Sequence, residues 1–378
     1  MCGFCKSTLV RDGEALARVG KMAELFDDHS PLQLGTNGTY QGVNFTLIGR
    51  LQYKYREGAW NEWHAWLDSG ESAWLSEDNG AYVWTRALPV QRTLPLPTQF
   101  VVGNTTAIGG QAYSVASVEQ VSLMAAQGEL PRMPTLGTPF IVVDLRSEQG
   151  DIVSIDYGQT PPAAYQGKAV TLDELRCSNL REELGSSAAS SKEFKSQSFN
   201  CPHCGAPVAL QLANTQSVAC GSCHSLIDVS QGIGGQLAHV QQQEFAEPLI
   251  ALGSVGTLQG KPWQVVGFLQ RMWREVGDDD ETFTWCEYLL YNRKAGFQFL
   301  VDATDGWSLV KPATGAPKLR GSSAQYLNTN YALQYRYHAE TTYVAGEFYW
   351  NVARGQKAFV EDFASGKSIL SREKAGSE

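Results

Sequence analysis

The most regular alternation of apolar and polar residues in the chain runs from Val43 to Tyr55. Its apolar members share one parity: Val43, Phe45, Leu47, Leu51, Tyr53 and Tyr55. A period of two is typical of a strand that buries one face. Gly49 inside the run predicts a kink or bulge. Just upstream, glycines recur at the spacing of tight turns between short strands, in Leu34-Gly35-x-x-Gly38-x-x-x-Gly42.

Further along the first half, tryptophans continue the aromatic β pattern: Trp60, Trp63, Trp66, Trp74 and Trp84. Residues 85–165 predict more strands, broken by proline and glycine. Two helices are predicted beside this β structure. One covers 12–27, with Asp12 as its cap and an apolar stripe of Leu16, Val19, Met22 and Phe26. The other covers 171–183, where Thr171 and Glu174 form a capping box.

The same pattern returns in the second half of the chain at one constant offset. Leu34, Gly35, Gly38, Thr39, Gln41, Gly42 and Gly49 recur as Leu252, Gly253, Gly256, Thr257, Gln259, Gly260 and Gly267; Gly128 and Glu129 recur as Gly346 and Glu347. A single offset that holds over this length indicates a duplicated module. The predicted fold class is therefore mainly β, with two small antiparallel barrels or sandwiches and few short helices.

The second copy opens with four cysteines in the spacing Cys-x2-Cys-x15-Cys-x2-Cys: Cys201, Cys204, Cys220 and Cys223. Each Cys-x-x-Cys turn directs two thiolates at one point, and two such turns enclose a tetrahedral Zn²⁺ site. Four thiolates leave no open coordination position, so this spacing predicts a structural zinc ribbon rather than a catalytic centre. His203 and His224, in and beside the turns, are interpreted as surface residues and not as ligands.

In the first copy, Cys2 and Cys5 match Cys220 and Cys223, whereas the matches of Cys201 and Cys204 would precede Met1. We expect that the native chain starts upstream and completes a first ribbon, with decay of that ribbon as the alternative. The predicted organisation is half a ribbon plus helix (1–30), a first β module (31–183), a flexible linker (184–199), a complete ribbon (200–230), and a second β module with a polar tail (231–378).

Composition narrows the function classes. The 378 residues are 43% hydrophobic, 18% charged and 11% aromatic, with a net charge of −9. An acidic chain opposes nonspecific nucleic-acid binding, and the ribbon offers no basic face, since Lys192 and Lys195 stand beside Glu193 and Asp228. Without an apolar span or signal peptide, and with a thiolate metal site, the chain is predicted to be cytoplasmic, peripheral to the inner membrane at most.

Several acidic residues invite a catalytic interpretation. Arg56-Glu57 recurs as Arg274-Glu275, but no histidine recurs with the pair, so an exposed ion pair at a strand end is favoured. Glu129 and Glu347 are better functional candidates, although a turn carboxylate that accepts backbone N–H bonds explains them more simply. The run Asp278-Asp279-Asp280-Glu281 lacks the alternating ligands of a calcium loop and predicts a solvated hairpin.

Trp63 and Trp285 are taken to correspond, within Trp63-His64-Ala65-Trp66 and Trp285-Cys286-Glu287-Tyr288. Aromatic strand faces usually form core, and a stacking groove for a ligand is the alternative. No catalytic site residue and no cofactor other than structural Zn²⁺ is predicted. The sequence has no GxSxG, HExxH or phosphate-binding loop, which favours a noncatalytic role without ruling out an enzyme.

The ribbon, the Leu-Gly-x-x-Gly-x-x-x-Gly motif, Trp285-Cys286-Glu287-Tyr288-Leu289 and Gly346-Glu347-Phe348-Tyr349-Trp350 together resemble the bacterial family called domain of unknown function 4178. The first copy departs from the family motif at Trp63-His64-Ala65-Trp66, which suggests a changed role. The resemblance implies no established chemistry. It implies companions: membrane-stress (phage-shock-like) proteins and polyamine-synthase-like enzymes in bacterial gene clusters.

These observations favour a noncatalytic adaptor for protein partners, in which two linked copies gain avidity. Membrane-stress proteins are the expected partners. An exposed apolar patch on one β face would favour this function. The alternative is an enzyme or ligand-binding component that acts with a polyamine-synthase-like enzyme. It predicts a concave acidic pocket around Glu129 or Glu347, suited to a polyamine.

Overall fold

The fold was analysed in a computed structural model. The structure describes residues 30–55, 58–90, 93–131, 137–181, 198–212, 215–230, 232–233, 237–242, 245–274, 282–292, 294–313 and 317–375, and the backbone of 7–12 and 15–21.

The described residues are mainly β strands. The first half contains β1 (Ser7–Asp12), β2 (Ala15–Lys21), β3 (Asn37–Tyr40), β4 (Val43–Lys54), β5 (Ala59–Leu67), β6 (Ser72–Asp78), β7 (Ala81–Leu88), a 3-10 turn (Pro97–Gln99), β8 (Thr105–Ile108), β9 (Gln111–Gly128), β10 (Phe140–Arg146), β11 (Asp151–Asp156), β12 (Ala163–Val170) and the helix α1 (Leu172–Leu175). The ribbon region contains β13 (Ser198–Asn200), β14 (Pro207–Ala209), β15 (Ser217–Ala219), β16 (Leu226–Asp228) and β17 (His239–Val240). The second β module contains β18 (Val255–Leu258), β19 (Lys261–Arg274), β20 (Thr282–Asn292), β21 (Gly296–Ala303), β22 (Gly306–Val310), β23 (Lys318–Arg320), β24 (Ser323–Tyr326), β25 (Thr329–Phe348), β26 (Lys357–Ser365) and β27 (Ser368–Ala375).

Eight antiparallel strands of the first module form a barrel. Their order is β4-β5-β6-β7-β12-β11-β10-β9, and pairing of β9 with β4 closes the ring. The predicted bulge is present, because the register between β4 and β5 shifts between Leu47 and Gly49. A barrel of this size is filled by side chains.

Apolar residues lie on both faces of the barrel sheet. The interior cluster includes Leu51, Tyr53, Val121 and Leu123, with Trp60, Trp74 and Phe140 packed against it. On the outer face, Phe45, Leu47, Trp63 and Trp84 are covered by Leu32, Val170 and Leu175. A second outer cluster contains Phe100, Val143 and Ile155. The alternating apolar residues of β4 therefore lie on the outer face before Gly49 and on the interior face beyond it, because the bulge reverses the direction in which they point.

The second module repeats this arrangement with a different edge. Its sheet runs β22-β21-β20-β19-β25, and β26 and β27 follow on the other edge of β25. The strands β19, β25 and β26 recur after β4, β9 and β10 at the constant offset of the sequence repeat. The ribbon strands β15, β16 and β17 extend the same sheet from the end of β25.

Both predicted helices require correction. Over Ala15–Lys21 the helix expected at 12–27 is wrong: this segment is strand β2, paired with β1, and the rest lies outside the described residues. In the sequence, the Asp12-Gly13 dipeptide is a hairpin signal that competes with helix periodicity. The helix expected at 171–183 is confirmed at its Thr171–Glu174 capping box but contains only Leu172–Leu175, because Arg176 adopts a left-handed conformation that ends it.

The chain separates into two compact units, 1–182 with 313–319 and 325–328, and 183–312 with 320–324 and 329–378. Among the described residues, no helix has the length and apolar character needed to cross a membrane.

Candidate functional site

The four ribbon cysteines converge on one point. Their Sγ atoms all lie within 4.8 Å of one another, and the Cys201–Cys223 and Cys204–Cys220 pairs are each separated by 3.7 Å. A tetrahedron with Zn–S bonds of about 2.3 Å has S–S edges of about 3.8 Å, whereas a disulfide would bring two sulfurs to about 2.05 Å. The donor set therefore fits a tetrahedral thiolate-bound metal, as the sequence spacing predicts.

The two Cys-x-x-Cys turns share one backbone pattern. Gly205 N–H donates to the Cys201 carbonyl and His224 N–H to the Cys220 carbonyl, both at 2.9 Å. The buried Ser225 hydroxyl lies 3.3 Å from Cys223 Sγ, where it can donate to a thiolate. A metal here would hold the two hairpins of the ribbon together, and its filled coordination shell would supply no catalytic position.

Glu347 fastens the ribbon to the second module. Its carboxylate accepts hydrogen bonds from Gln211 N–H at 2.8 Å, Leu212 N–H at 3.0 Å and the Thr215 hydroxyl at 2.8 Å. Burial raises the pKa of Glu347, while these hydrogen bonds act in the opposite direction. The interpretation of Glu347 as a turn carboxylate that accepts backbone N–H bonds is thus confirmed. Both of its carboxylate oxygens accept hydrogen bonds from residues of the ribbon.

The other recurring acids differ from Glu347. Glu129 is exposed, and its backbone carbonyl accepts a hydrogen bond of 2.8 Å from Nδ1 of buried His64. Arg56, Glu57 and Glu275, with the side chain of Arg274, lie outside the described residues, as does the 278–281 acidic run. The ion-pair and hairpin interpretations of these segments remain predictions.

Strand register corrects the expected match between Trp63 and Trp285. Trp60 pairs with Tyr53 and Trp285 pairs with Arg271, and Arg271 stands at the repeat position of Tyr53. Trp60 is therefore the counterpart of Trp285, Glu62 of Glu287, and Trp63 of Tyr288. The Trp and Glu of the family motif are present in the first copy as Trp60 and Glu62, contrary to expectation, whereas its Tyr is replaced by Trp63. The connection between β19 and β20 has more residues than that between β4 and β5, and this difference displaces the motif from the constant offset.

The Trp-x-Glu unit has the same geometry in both copies. Trp60 Nε1 donates to Glu62 Oε1 at 3.1 Å, and Trp285 Nε1 donates to Glu287 Oε1 at 2.7 Å. Paired residues of adjacent antiparallel strands share a face, and Glu62 pairs with Leu51 of the interior cluster. Glu62 therefore points into the first barrel.

Asp144 and Asp156 are among the other carboxylates on that interior face. Asp144 lies on β10 beside Ser117, whose hydroxyl donates to it at 3.0 Å, and Asp156 pairs with the interior residue Val142. Burial raises the pKa of Glu62 to about 7, and the charges of Asp144 and Asp156 contribute to that rise. Burial also raises the pKa of Asp144. The first barrel thus encloses a carboxyl group, that of Glu62, that favours protonation near neutral pH.

The second module repeats these acids as Glu287, Asp362 and Glu373. There, Arg271 stands at the position of Tyr53. Its Nη1 lies 3.0 Å from Glu287 Oε1 and 2.8 Å from Glu373 Oε1. Burial acts to lower the pKa of Arg271, but the two carboxylates raise it above its usual value. The second copy thus places a cation among these carboxylates, whereas in the first copy the pKa values of Glu62 and Asp144 are raised.

A buried polar network covers the outer face of the first barrel. The Glu77 carboxylate accepts hydrogen bonds from Ser30 at 2.7 Å, Trp63 Nε1 at 2.8 Å and Asn61 at 3.2 Å. Arg50 donates to Asn61 Oδ1 and lies over the Trp63 ring, 4.8 Å from its centroid. These contacts pin the 30–32 segment to the sheet and indicate a structural role.

Sequence reasoning did not identify the interior acids, although one signal was available. Asp144 recurs as Asp362 at the repeat's own offset. Glu62 and Glu287 could be matched only through strand register, since the β4–β5 and β19–β20 connections differ in length. Pairs of acids at the repeat spacing, placed in strands, are the signal that would have found Asp144.

The chain was compared with known proteins. A family model described as Domain of unknown function (DUF4178) matches residues 33–172 and 251–378. The ribbon lies between the two matched ranges. No curated protein and no solved structure matches the chain.

Proposed function

The chain belongs to the DUF4178 family through both of its β modules, and we propose that it is a noncatalytic zinc-ribbon adaptor for protein partners. Structural Zn²⁺ at Cys201, Cys204, Cys220 and Cys223 would order the ribbon. The proposed setting is the bacterial cytoplasm at the inner face of a stressed membrane, with membrane-stress proteins as partners. A thiolate metal site suits that reducing compartment.

The observation that carries the proposal is a set of exposed apolar residues next to the ribbon, within residues 239–242 and 245–255, here called the ribbon-flanking segment. Leu249 is 79% exposed and Val255 is 71% exposed. The segment's exposed large apolar residues are Val240, Phe245, Leu249, Leu252 and Val255. Grouped apolar side chains on a surface are typical of protein-binding sites.

The ribbon contacts the first part of this segment. Val240 of β17 pairs with Leu226 of β16. Gln242 donates to the carbonyls of His224 at 2.7 Å and Val344 at 2.8 Å, and the Phe245 ring lies 5.1 Å from that of His224. Since His224 directly follows Cys223, loss of the metal would remove the support of Phe245.

The rest of the segment is held by the second β module. Leu249 N–H donates to the Tyr288 hydroxyl at 3.0 Å, and Val255 pairs with Gln264 of β19.

The test is affinity capture of the full chain from its native cytoplasm, with a Leu249→Ser/Val255→Ser variant. The matched control is Val101→Ser/Val102→Ser, which replaces exposed valines of the first module. We expect a specific partner that is lost with the first variant and kept with the second. Equal capture by both variants, or no enriched protein, would contradict the adaptor function.

A second candidate function is favoured by the interior carboxylates of the first barrel: binding of a polyamine, together with a polyamine-synthase-like enzyme. Glu287 and Glu373 bind a guanidinium in the second copy, and their counterparts Glu62 and Asp156 offer the same chemistry to an ammonium group. Titration calorimetry with spermidine at pH 8 tests this role. Glu62→Gln should weaken binding, whereas Asp173→Asn, an exposed acid in α1, should not; equal affinities would reject the role.

A further inference from the structure

A small cavity lies at one end of the first barrel. Arg146 is the last residue of β10, where it pairs with Ser114 of β9. Asp144 stands two residues before it, so Arg146 shares the interior face of the sheet. Arg146 and Ser114 line the cavity together with Lys318 and residues 325–328. The compact unit of the first barrel includes these residues, so the cavity lies within one unit.

The cavity has room for one small polar group. Its volume is about 30 Å³, and a single water needs about 10–15 Å³ of such space. A nucleotide is therefore too large to fit inside. The wall residues Glu148, Leu327 and Asn328 are exposed, so a ligand can reach the cavity from solvent. A group that binds here could belong to a larger molecule whose remainder stays in solvent.

The guanidinium of Arg146 is short of hydrogen-bond acceptors. Its Nε atom is buried and has no hydrogen-bond partner in the part of the chain that the structure describes. Burial lowers the pKa of Arg146, and Tyr326 acts in the opposite direction. Glu148, an acid of the same wall, lies 2.8 Å from the Lys318 ammonium. Because an arginine stays charged in proteins and a buried donor without an acceptor is costly, an anion in the cavity would be stabilising.

The second copy shows that the module does not require this polar pair. At the repeat offset, Arg146 corresponds to Ala364 and Ser114 corresponds to Ala332. The two alanines pair with each other as the arginine and the serine do. The strands therefore form with alanine at both positions, and the fold does not explain the arginine. Its place in the cavity wall favours a binding role.

We propose that this cavity binds the carboxylate group of a small ligand, which accepts hydrogen bonds from Arg146 and Ser114. A planar guanidinium offers parallel N–H donors to the two oxygens of a carboxylate. The wall also holds Lys318 and Glu148, which leaves an excess of one positive charge. That excess matches one carboxylate better than a phosphomonoester, whose charge is about −1.5 to −2 at pH 7.

This inference goes beyond the proposed function, because it concerns another site. It depends neither on the ribbon nor on the carboxylates inside the barrel.

Side-chain NMR of the full chain tests the site, with sodium acetate as the probe. Isotope-labelled arginine gives an Nε–H signal for each guanidinium, and the signal lost in Arg146→Ala belongs to Arg146. We expect acetate to move this signal saturably, with a dissociation constant on the order of 1 mM because the probe has few atoms. At about ten times that concentration, exchange of the Nε proton with solvent should slow about tenfold.

The controls separate a built site from general anion effects. Sodium chloride at the same ionic strength should leave the Arg146 signal in place. Acetate should not move the signal of Arg86, an exposed arginine of the same barrel that pairs with Glu71. Ser114→Ala should weaken acetate binding about fivefold, through the loss of one hydrogen bond. Since the second copy has alanine at this position, the variant should fold, and urea unfolding checks that it does.

Any of four results would overturn the proposal. The first is an Arg146 signal that acetate does not move. The second is an equal movement with chloride, which would indicate an adventitious ion only. The third is movement with inorganic phosphate but not with acetate, which would assign the cavity to another class of anion. The fourth is an unchanged acetate affinity in Ser114→Ala, which would remove that residue from the site.

Discussion

Glu62 and Glu287 are the same residue of the module in two electrostatic settings. Glu287 lies against the Arg271 guanidinium, whereas Glu62 lies near Asp144 and Asp156, whose charges oppose its ionisation. Burial, together with these charges, raises the pKa of Glu62 to about 7. The two modules should therefore respond differently to pH although their strands correspond.

The first prediction concerns the pH dependence of the first module. Burial raises the pKa of Glu62 from 4.5 to about 7, so the folded state binds more protons than the unfolded state between these values. Stability therefore falls as pH rises through this window, by about 2 kcal/mol between pH 5 and pH 8. Glu62→Gln should flatten the dependence, as measured by urea unfolding or by hydrogen exchange in β5.

The matched control is Glu287→Gln in the second module. It leaves the buried Arg271 with one carboxylate fewer and should destabilise that module at pH 7 and pH 8 alike. An unchanged pH slope in Glu62→Gln would contradict the assignment of the retained proton to Glu62.

At the scale of elements, each copy brings two paired strands close together at a pair of glycines, Gly49 with Gly128 and Gly267 with Gly346. Gly128 and Gly346 have positive φ values of 76° and 83°. A Cβ on either would lie 2.2 Å from a carbonyl oxygen, that of Ile48 or Val266. This close approach lies where β9 pairs with β4 and β25 pairs with β19. In the second copy the next residue is Glu347, which binds the ribbon backbone.

The second prediction separates this close approach from backbone strain. Gly346→Ala should lower the free energy of unfolding of the second module by about 3 kcal/mol. Gly355→Ala is the matched control, because Gly355 has a φ of 77° and a Cβ there would meet nothing within 4 Å. The control should cost about 1 kcal/mol. Denaturant unfolding followed by tryptophan fluorescence measures both. Equal losses of unfolding free energy in the two variants would show that the close approach of β25 to β19 tolerates a methyl group.

Element prediction from sequence succeeded where local pattern decides. The alternation around Gly49 predicted β4 and its bulge, because both arise from neighbouring residues. It failed at 12–27, where helix periodicity and a hairpin dipeptide competed, and at the end of α1, where Arg176 turns left-handed. Trp63 was matched to the wrong residue because the connection between β19 and β20 is longer than that between β4 and β5. This difference changes the repeat offset for β20, and only strand pairing reveals it.

At the scale of the whole molecule, the duplication and the metal ligands could be predicted because identity and spacing carry them. Barrel closure could not, since β4–β9 and β7–β12 pair residues that are far apart in sequence. The place where the ribbon docks depends on β15 and β25 in the same way. The interior acids became visible only when closure placed Glu62, Asp144 and Asp156 together.

The central claim is that the ribbon holds an apolar segment in place for a protein partner. A photo-crosslinking amino acid at position 245, introduced in the full chain in its native cells, tests this claim most directly, because Phe245 is exposed and contacts His224 of the ribbon. Position 101 is the exposed control, and Cys201→Ser/Cys204→Ser is the metal-free background. We predict one discrete adduct from position 245 that disappears in the cysteine variant, and none from position 101. The same adducts from both positions, or an adduct from 245 that persists without the cysteines, would contradict the claim.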